Sequence, residues 1–212
     1  LAVDAIKGAG EVAFDGRGPK PVVTGKLSLG MLDINPYLPP EAKPSAAQTA
    51  PATSGGAEKP AATGWSDDPI DLSGLNGADA SFDLSVAGIL VRKIKIGAAN
   101  LKITLKDGVL VTDLTRMALY GGVGKARLTA NGAGKVPKIA LKFDPADFQA
   151  RPFMSDAINF DRIEGTAHAD LVVTTRGGSQ RQLVSALNGA GKIKFLDGAI
   201  RGINLAAMVR NV

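Results

Sequence analysis

The chain has 212 residues, of which 26 are glycine and none is cysteine, and a formal net charge of +5 at pH 7. This length allows one or two domains with a substantial core, and the absence of cysteine excludes disulfides and thiolate metal sites. No apolar run approaches the roughly 20 residues of a membrane-spanning helix, while the basic charge is a hint of acidic partners such as anionic lipid or nucleic acid.

The first part of the chain predicts two strands, residues 1–14 and 21–32, which are joined by a turn-rich connector. The composition then changes, because residues 39–63 contain five prolines and eight alanines but no Val, Ile, Leu, Met or aromatic residue. Such a segment cannot bury enough apolar area to offset the entropy lost on ordering. We therefore expect residues 39–64 to be a disordered loop or linker, residues 1–38 to end a preceding β module, and residues 65–212 to form the main unit.

Residues 65–212 alternate between apolar and polar side chains, which is typical of strands with one buried face. The clearest example is residues 101–120, where Asp107-Gly108 supplies the turn of a long β-hairpin. Six Asn-Gly or Asp-Gly dipeptides punctuate the chain, and we expect Asp197-Gly198 to form a further turn between two strands. Short helices are predicted at 152–158, at 179–187 with Ser179 as the N-cap, and at 203–210.

These patterns predict a mainly β fold. We expect a long curved antiparallel sheet, shaped as a β-groove and built of repeated hairpins with a few short helices. A weak internal repeat supports this architecture, since the motif GAGEVAFDG at residues 8–16 is similar to GAGKIKFLDG at residues 189–198. Repetition of a strand-rich unit favours an elongated sheet.

The sequence contains no arrangement typical of catalysis or of a metal centre. His168 is the only histidine, and its place between Ala167 and Ala169 indicates the polar face of a strand. The densest carboxylates, which include Asp67 and Asp71, lie beside Pro69 in a pattern typical of an exposed turn. We therefore expect no catalytic residue, no bound metal and no cofactor, and hence a protein that is not an enzyme.

The remaining feature is an apolar stripe on the alternating segments. It comprises Phe82, Leu84, Val86, Ile94, Ile96, Leu101, Ile103, Leu105, Leu128, Ile139, Leu141, Phe143, Leu171, Val173, Ile193 and Phe195. One interpretation is a closed core beneath the helices. The other is an open apolar groove that binds lipid, because few helices are available to cover many strands and a large uncovered apolar surface marks a ligand or membrane site. The pattern leaves both open.

Several blocks resemble the C-terminal region of the AsmA family: WSDDPIDLSGL at 65–75, DGVLVTDLTRMALYGGVGKARLTA at 107–130, and GGSQRQLVSALNGAGKIKFLDGAIRGINL at 177–205. The stretch LDINPYLPP at 32–40 also fits that pattern. The resemblance implies an inner-membrane anchor outside this chain, in a Gram-negative cell, with the remainder in the periplasm. It also implies a long β-groove that carries phospholipid or another lipid towards the outer membrane, and it transfers no catalytic motif.

The sequence thus predicts a non-enzymatic periplasmic module that handles phospholipid-like ligands between the two membranes and supports outer-membrane biogenesis. Membrane lipid is the expected partner, with envelope proteins as further candidates. Nucleic acid is not expected, because the lysines alternate along strands with few aromatic residues among them. The alternative is a structural or protein-interaction module with a closed β core. A hydrolase would require Asp67, Asp71 and His168 to meet in one pocket.

Overall fold

A computed structural model describes residues 2–3, 6–38 and 65–200. Its strands are β1 (Ala2–Val3), β2 (Ile6–Asp15), β3 (Val22–Asp33), β4 (Asp79–Val91), β5 (Ile94–Lys106), β6 (Val109–Leu119), β7 (Gly122–Asn131), β8 (Lys138–Ala146), β9 (Phe148–Gln149), β10 (Ile163–Arg176) and β11 (Asn188–Ile200). Its α-helices are α1 (Ala150–Ile158) and α2 (Gln180–Ser185), and short 3₁₀ helices cover Asn35–Tyr37 and Ser73–Asn76. The predicted disorder of residues 39–64 and the predicted helix at 203–210 lie outside the described residues.

Ten of these strands form one open sheet in the order β1-β2-β3-β4-β5-β6-β7-β8-β10-β11. The short strand β9 pairs with β10, as β8 does. All pairs are antiparallel except β3 with β4. The predicted fold class is confirmed: the chain is mainly β, its sheet is mostly antiparallel and open, and it carries short helices. The two halves of the internal repeat form most of β2 and β11, near the two edges of the sheet.

Tight turns account for most of the hairpins. Asp107 and Gly108 have φ angles of 49° and 77°, as the Asp-Gly signal predicts. Tyr120 and Gly121 adopt the same left-handed conformation between β6 and β7, with φ angles of 45° and 85°. Arg92 (φ 55°) begins the turn between β4 and β5, which the sequence did not reveal because neither Arg92 nor Lys93 is a typical turn residue.

The predicted turn at Asp197-Gly198 is wrong. β11 continues through these residues, and the register shifts because the two of them lie opposite Gly165 of β10. Asp197 has a φ of 51° and Gly165 a φ of 108°, so this pair of residues forms a β-bulge. The predicted helix at 179–187 is shorter than expected: α2 ends at Ser185, although Ser179 caps it through a hydrogen bond from the Gln182 amide, as predicted.

The parallel pair β3–β4 places both flanks of the Ala/Pro-rich segment in one sheet. Eleven residue pairs, from Val22–Asp79 to Asp33–Leu90, are in register across it. A parallel pair needs a crossover connection, because the chain must return along the full length of the strand before it can start again. The segment 34–78, which contains the Ala/Pro-rich stretch, makes this connection.

Strand register divides the side chains into an apolar face and a polar face, since residues opposite one another project to the same side of a sheet. One row of the apolar face runs across six strands: Phe82, Ile103, Thr112, Leu128, Leu141 and Val173. The neighbouring row of the polar face consists of charged residues: Glu11, Lys26, Asp83, Lys102, Asp113, Arg127 and Lys142. Charges of opposite sign face each other at every step but the last.

The closed core lies at one end of the apolar face. Its buried residues are Val86, Ile89, Ala99, Leu101, Met117 and Leu119, and Phe153 of α1 packs against them. We call this end of the strands the α1 end. The opposite end, where β4 and β8 begin and β10 finishes, is called the α2 end.

Met117 tests where the stability of the sheet resides, because its side chain is fully buried (0% exposed) whereas Leu128 on the same face is 39% exposed. We expect Met117→Ala to lower the free energy of unfolding by about 2–5 kcal/mol, through lost burial and the cavity left behind. Leu128→Ala should cost clearly less. Urea denaturation followed by circular dichroism measures both, and equal losses would show that the core extends evenly over the face.

Candidate functional site

The candidate site is the part of the apolar face that the core does not occupy. Phe82, Ile103, Leu105, Ile139, Leu141, Leu171 and Val173 are half-buried there, and Leu128 is exposed. Phe82 lies over β3, where its ring fills the space that a side chain at Gly25 would take. These residues form a continuous surface of aliphatic and aromatic groups that solvent reaches in part.

The structure divides the sixteen residues of the predicted stripe into three groups. Val86 and Leu101 are buried in the core, and Leu84, Ile94, Ile96 and Phe143 pack against it. The eight residues named in the preceding paragraph form the partly open face. Ile193 and Phe195 lie on β11, at an edge of the sheet, and are 54% and 37% exposed. Their role in binding a ligand stays a prediction.

Sequence reasoning missed two exposed apolar residues of the same face on β2. Val12 lies opposite Gly25 and Phe14 lies opposite Val23, and they are 58% and 71% exposed. They occupy the positions in the repeat motif that Ile193 and Phe195 occupy in β11. Aligning the two copies of the repeat motif in the sequence could have identified both residues. The apolar face therefore extends from the β2 edge of the sheet to the β11 edge.

Helix α1 closes the α1 end of this face. The Phe153 ring packs edge-on against Tyr120 and Phe148, with ring centroids 5.8 and 5.0 Å apart. The Tyr120 hydroxyl donates a hydrogen bond to Asp156 of α1 (2.6 Å) and accepts one from the Lys95 amide (3.0 Å). Burial and the bond to Asp156 raise the pKa of Tyr120 to about 12.

A crossing segment, residues 65–78, runs over the α2 end of the strands. It begins at α2, where the Ile70 amide donates to the Gly178 carbonyl (2.7 Å). It then passes the loop after β7, where the side-chain Nδ2 group of Asn76 donates a hydrogen bond to the Gly132 carbonyl (3.2 Å). At its end the Asp79 amide donates to the Pro21 carbonyl, beside β3. Both ends of the strands are thus crossed by other elements, whereas the direction across the strands is open.

A comparison with models of protein families gives a match. The model of the AsmA family matches residues 6–212. The chain belongs to the AsmA family. The match extends the resemblance found in the sequence to the strands that precede the Ala/Pro-rich segment. No match was found among curated proteins or solved structures.

The AsmA family is associated with assembly of the cell envelope and its outer membrane. Within residues 2–3, 6–38 and 65–200, no helix has the length and apolar character needed to cross a bilayer.

The residues that a hydrolase would need lie apart in this AsmA-family chain. Asp67 pairs with Arg181 at the α2 end (2.8 Å). His168 lies on the polar face, 2.9 Å from Asp147, which directly precedes β9 at the α1 end. The described residues contain no group of three histidine or acidic side chains that could hold a metal ion. The ionisable residues singled out in the sequence therefore do not meet in one pocket.

Tyr120 gives a prediction for pH dependence. Its folded-state pKa of about 12 lies above the ordinary value of 10.0, so its contribution to stability is complete below pH 10 and is lost as the pH rises through 12. We expect Tyr120→Phe to lose about 1 kcal/mol at pH 7, the worth of one hydrogen bond. The difference in stability between the two proteins should then shrink from pH 10 to pH 12 in urea denaturation. A constant difference would contradict this account.

His168 gives a second prediction, because its side chain and that of Asp147 are 43% and 65% exposed. Surface pairs of this kind contribute little. We expect His168→Ala to change the free energy of unfolding by less than about 0.5 kcal/mol. Thermal denaturation at pH 7 measures the change, and a much larger loss would reveal a structural role for the pair.

Proposed function

We propose that the chain is a non-enzymatic lipid-handling module of the periplasm, which binds the acyl chains of a phospholipid or similar membrane lipid on the open part of the apolar face. The observation that carries the proposal is the row of large apolar side chains that stays partly exposed while a closed core exists beside it. Covering such a surface removes apolar area from water, and a contiguous apolar surface that solvent reaches is typical of a ligand or membrane site.

The dimensions of the face suit an extended acyl chain. From β2 to β11 the sheet measures roughly 40 Å across the strands, at about 4.8 Å for each neighbouring pair. One acyl chain occupies about half of a hydrocarbon layer that is about 30 Å thick. Because α1 and the crossing segment lie over the strand ends, the open direction runs from β2 to β11. The lipid would therefore lie across the strands.

The wider role follows from this site and the family. A module that holds lipid on an open face can pass it along the sheet between the inner and outer membranes. In this proposal, an inner-membrane tether belongs to a part of the protein outside this chain, and envelope proteins are further partners. The second candidate is a structural or protein-interaction module, and the observation that favours it is the closed core at the α1 end.

Aspartate substitutions on the open face test the proposal. Ile103→Asp and Leu128→Asp each place a carboxylate in the middle row of the apolar face. Because this row is open, we expect both variants to fold, by circular dichroism, and to take up less fluorescent phospholipid. Thr104→Asp is the matched control, since Thr104 precedes Leu105 on β5 and projects to the polar face, opposite Ser81.

The outcomes separate the two candidates. Folded variants with reduced lipid uptake, together with normal uptake by Thr104→Asp, would support lipid binding on this face. If Ile103→Asp and Leu128→Asp both unfold, as a buried unpaired charge would cause, the face is a closed core and the interaction module is the better reading. If both fold and take up lipid normally, the ligand does not bind at the middle row.

A further inference from the structure

On the polar face, two cationic residues lie directly opposite each other at the α2 end. Lys138 is the first residue of β8, and Arg176 is the last residue of β10. Like charges directly opposite one another destabilise a sheet. Neither residue forms an ion pair or a side-chain hydrogen bond within the part of the chain that the structure describes. This pair therefore carries an electrostatic cost that the described contacts do not offset.

Several other lysines of the polar face have carboxylates opposite them, and Lys142 lies opposite Arg127, whose guanidinium is paired with Asp113. Lys26 faces Glu11 and Asp83, and Lys125 faces Asp144. Within the strands around Lys138 and Arg176 such partners are missing, because residues 128–143 and 171–196 contain no Asp or Glu. On the crossing segment at this end, Asp67 pairs with Arg181 and Asp71 accepts a hydrogen bond from the Ser73 amide. The positive charge is thus concentrated where β8, β10 and β11 meet the α2 end.

The two cations border an open depression of about 630 Å³ on this face. The rest of its lining is uncharged: the polar residues are Thr129, Asn131, Thr174, Thr175 and Asn188, and the apolar ones are Ile139, Ala140 and Ala186. The side-chain oxygen Oδ1 of Asn131 accepts a hydrogen bond from the Ala133 amide (3.0 Å), so the donor that this side chain offers is its Nδ2 group. The depression therefore combines two cationic donors with neutral hydrogen-bonding groups and no carboxylate.

We propose that this depression binds a phosphate group, with Lys138 and Arg176 as its charged ligands. A guanidinium offers a fork of donors that fits two phosphate oxygens, and an ammonium adds a compact charge for a third. Side chains directly opposite each other start from Cβ atoms about 5 Å apart, so both reach one tetrahedral anion. The bound anion would also remove the repulsion between the two cations.

This site lies on the opposite face of the sheet from the proposed lipid face, so it does not depend on the proposed function. Its phosphate could belong to a soluble phosphate compound or to the head group of an anionic lipid in a bilayer. The shared chemistry is the phosphate oxygen, and separate arms of one experiment distinguish the two sources.

Calorimetric titration of the full chain with inorganic phosphate, at constant ionic strength, tests the site. We expect Arg176→Gln and Lys138→Gln each to raise the dissociation constant about tenfold, because each loses a charge-assisted hydrogen bond. Lys26→Gln is the matched control, since it removes the same charge from the same face, and its dissociation constant should stay near that of the unchanged protein. Sedimentation with phosphatidylglycerol vesicles, and with phosphatidylcholine vesicles for comparison, forms the second arm.

Phosphate binding that depends on Lys138 and Arg176, without vesicle binding, would identify soluble phosphate compounds as the ligands. Dependence of both phosphate binding and phosphatidylglycerol sedimentation on these residues would identify lipid head groups. No heat of binding in the unchanged protein, or an equal loss in Lys26→Gln, would overturn the proposal. Arg176→Glu adds a check that does not depend on titration heat. With opposite charges facing each other, its thermal stability without phosphate should not fall. Phosphate should raise its thermal stability less than it raises that of Lys26→Gln, which keeps the site.

Discussion

Strand register is the constraint on which both faces of this molecule depend. Side chains along a strand alternate between the two faces with a period of two. A register shift of one residue would therefore move the apolar row to the solvent-facing side and the charged row to the core side. The alternating charges from Glu11 to Arg127 favour the observed register at each step, and only the last step, from Arg127 to Lys142, joins like charges. Only Asp113 and Arg127 form an ion pair along this row within the described residues (2.5 Å), and the Arg127 guanidinium holds the pKa of Asp113 below its usual range. Each exposed ion pair contributes little to stability by itself. The charged row therefore acts mainly by destabilising alternative registers, in which like charges would face each other.

The single parallel pair changes what the apolar face can do. Because β3 runs beside β4 in the same direction, the connecting chain must return from the α1 end to the α2 end. Its last part, the crossing segment, lies over the α2 end of the strands, and α1 lies over the other end. The uncovered part of the apolar face is consequently bounded along the strands and open across them.

The closed core and the proposed lipid site lie on different parts of one face. At the α1 end, Met117 and Leu119 are fully enclosed and α1 covers them. Toward the α2 end, side chains of the same chemical kind stay partly exposed, so a ligand there can displace water without opening the core. A sheet with a closed portion can keep its register while the open portion is empty, as the proposed loading and release of lipid requires.

Local signals in the sequence determined the strands, the Asp107-Gly108 hairpin, the Ser179 cap and the composition of the stripe, because alternation and turn chemistry act between near neighbours. Asp197-Gly198 shows the limit of this reasoning: the same dipeptide that makes a turn at 107–108 makes a bulge when Gly165 of the neighbouring strand lies opposite it. Three features were decided only by the tertiary structure: the parallel pairing of β3 with β4, the division of the stripe into core and open face, and the meeting of Lys138 with Arg176. Each depends on contacts between residues far apart in the sequence, and a hydrophobic pattern states which side a residue faces but not what covers it.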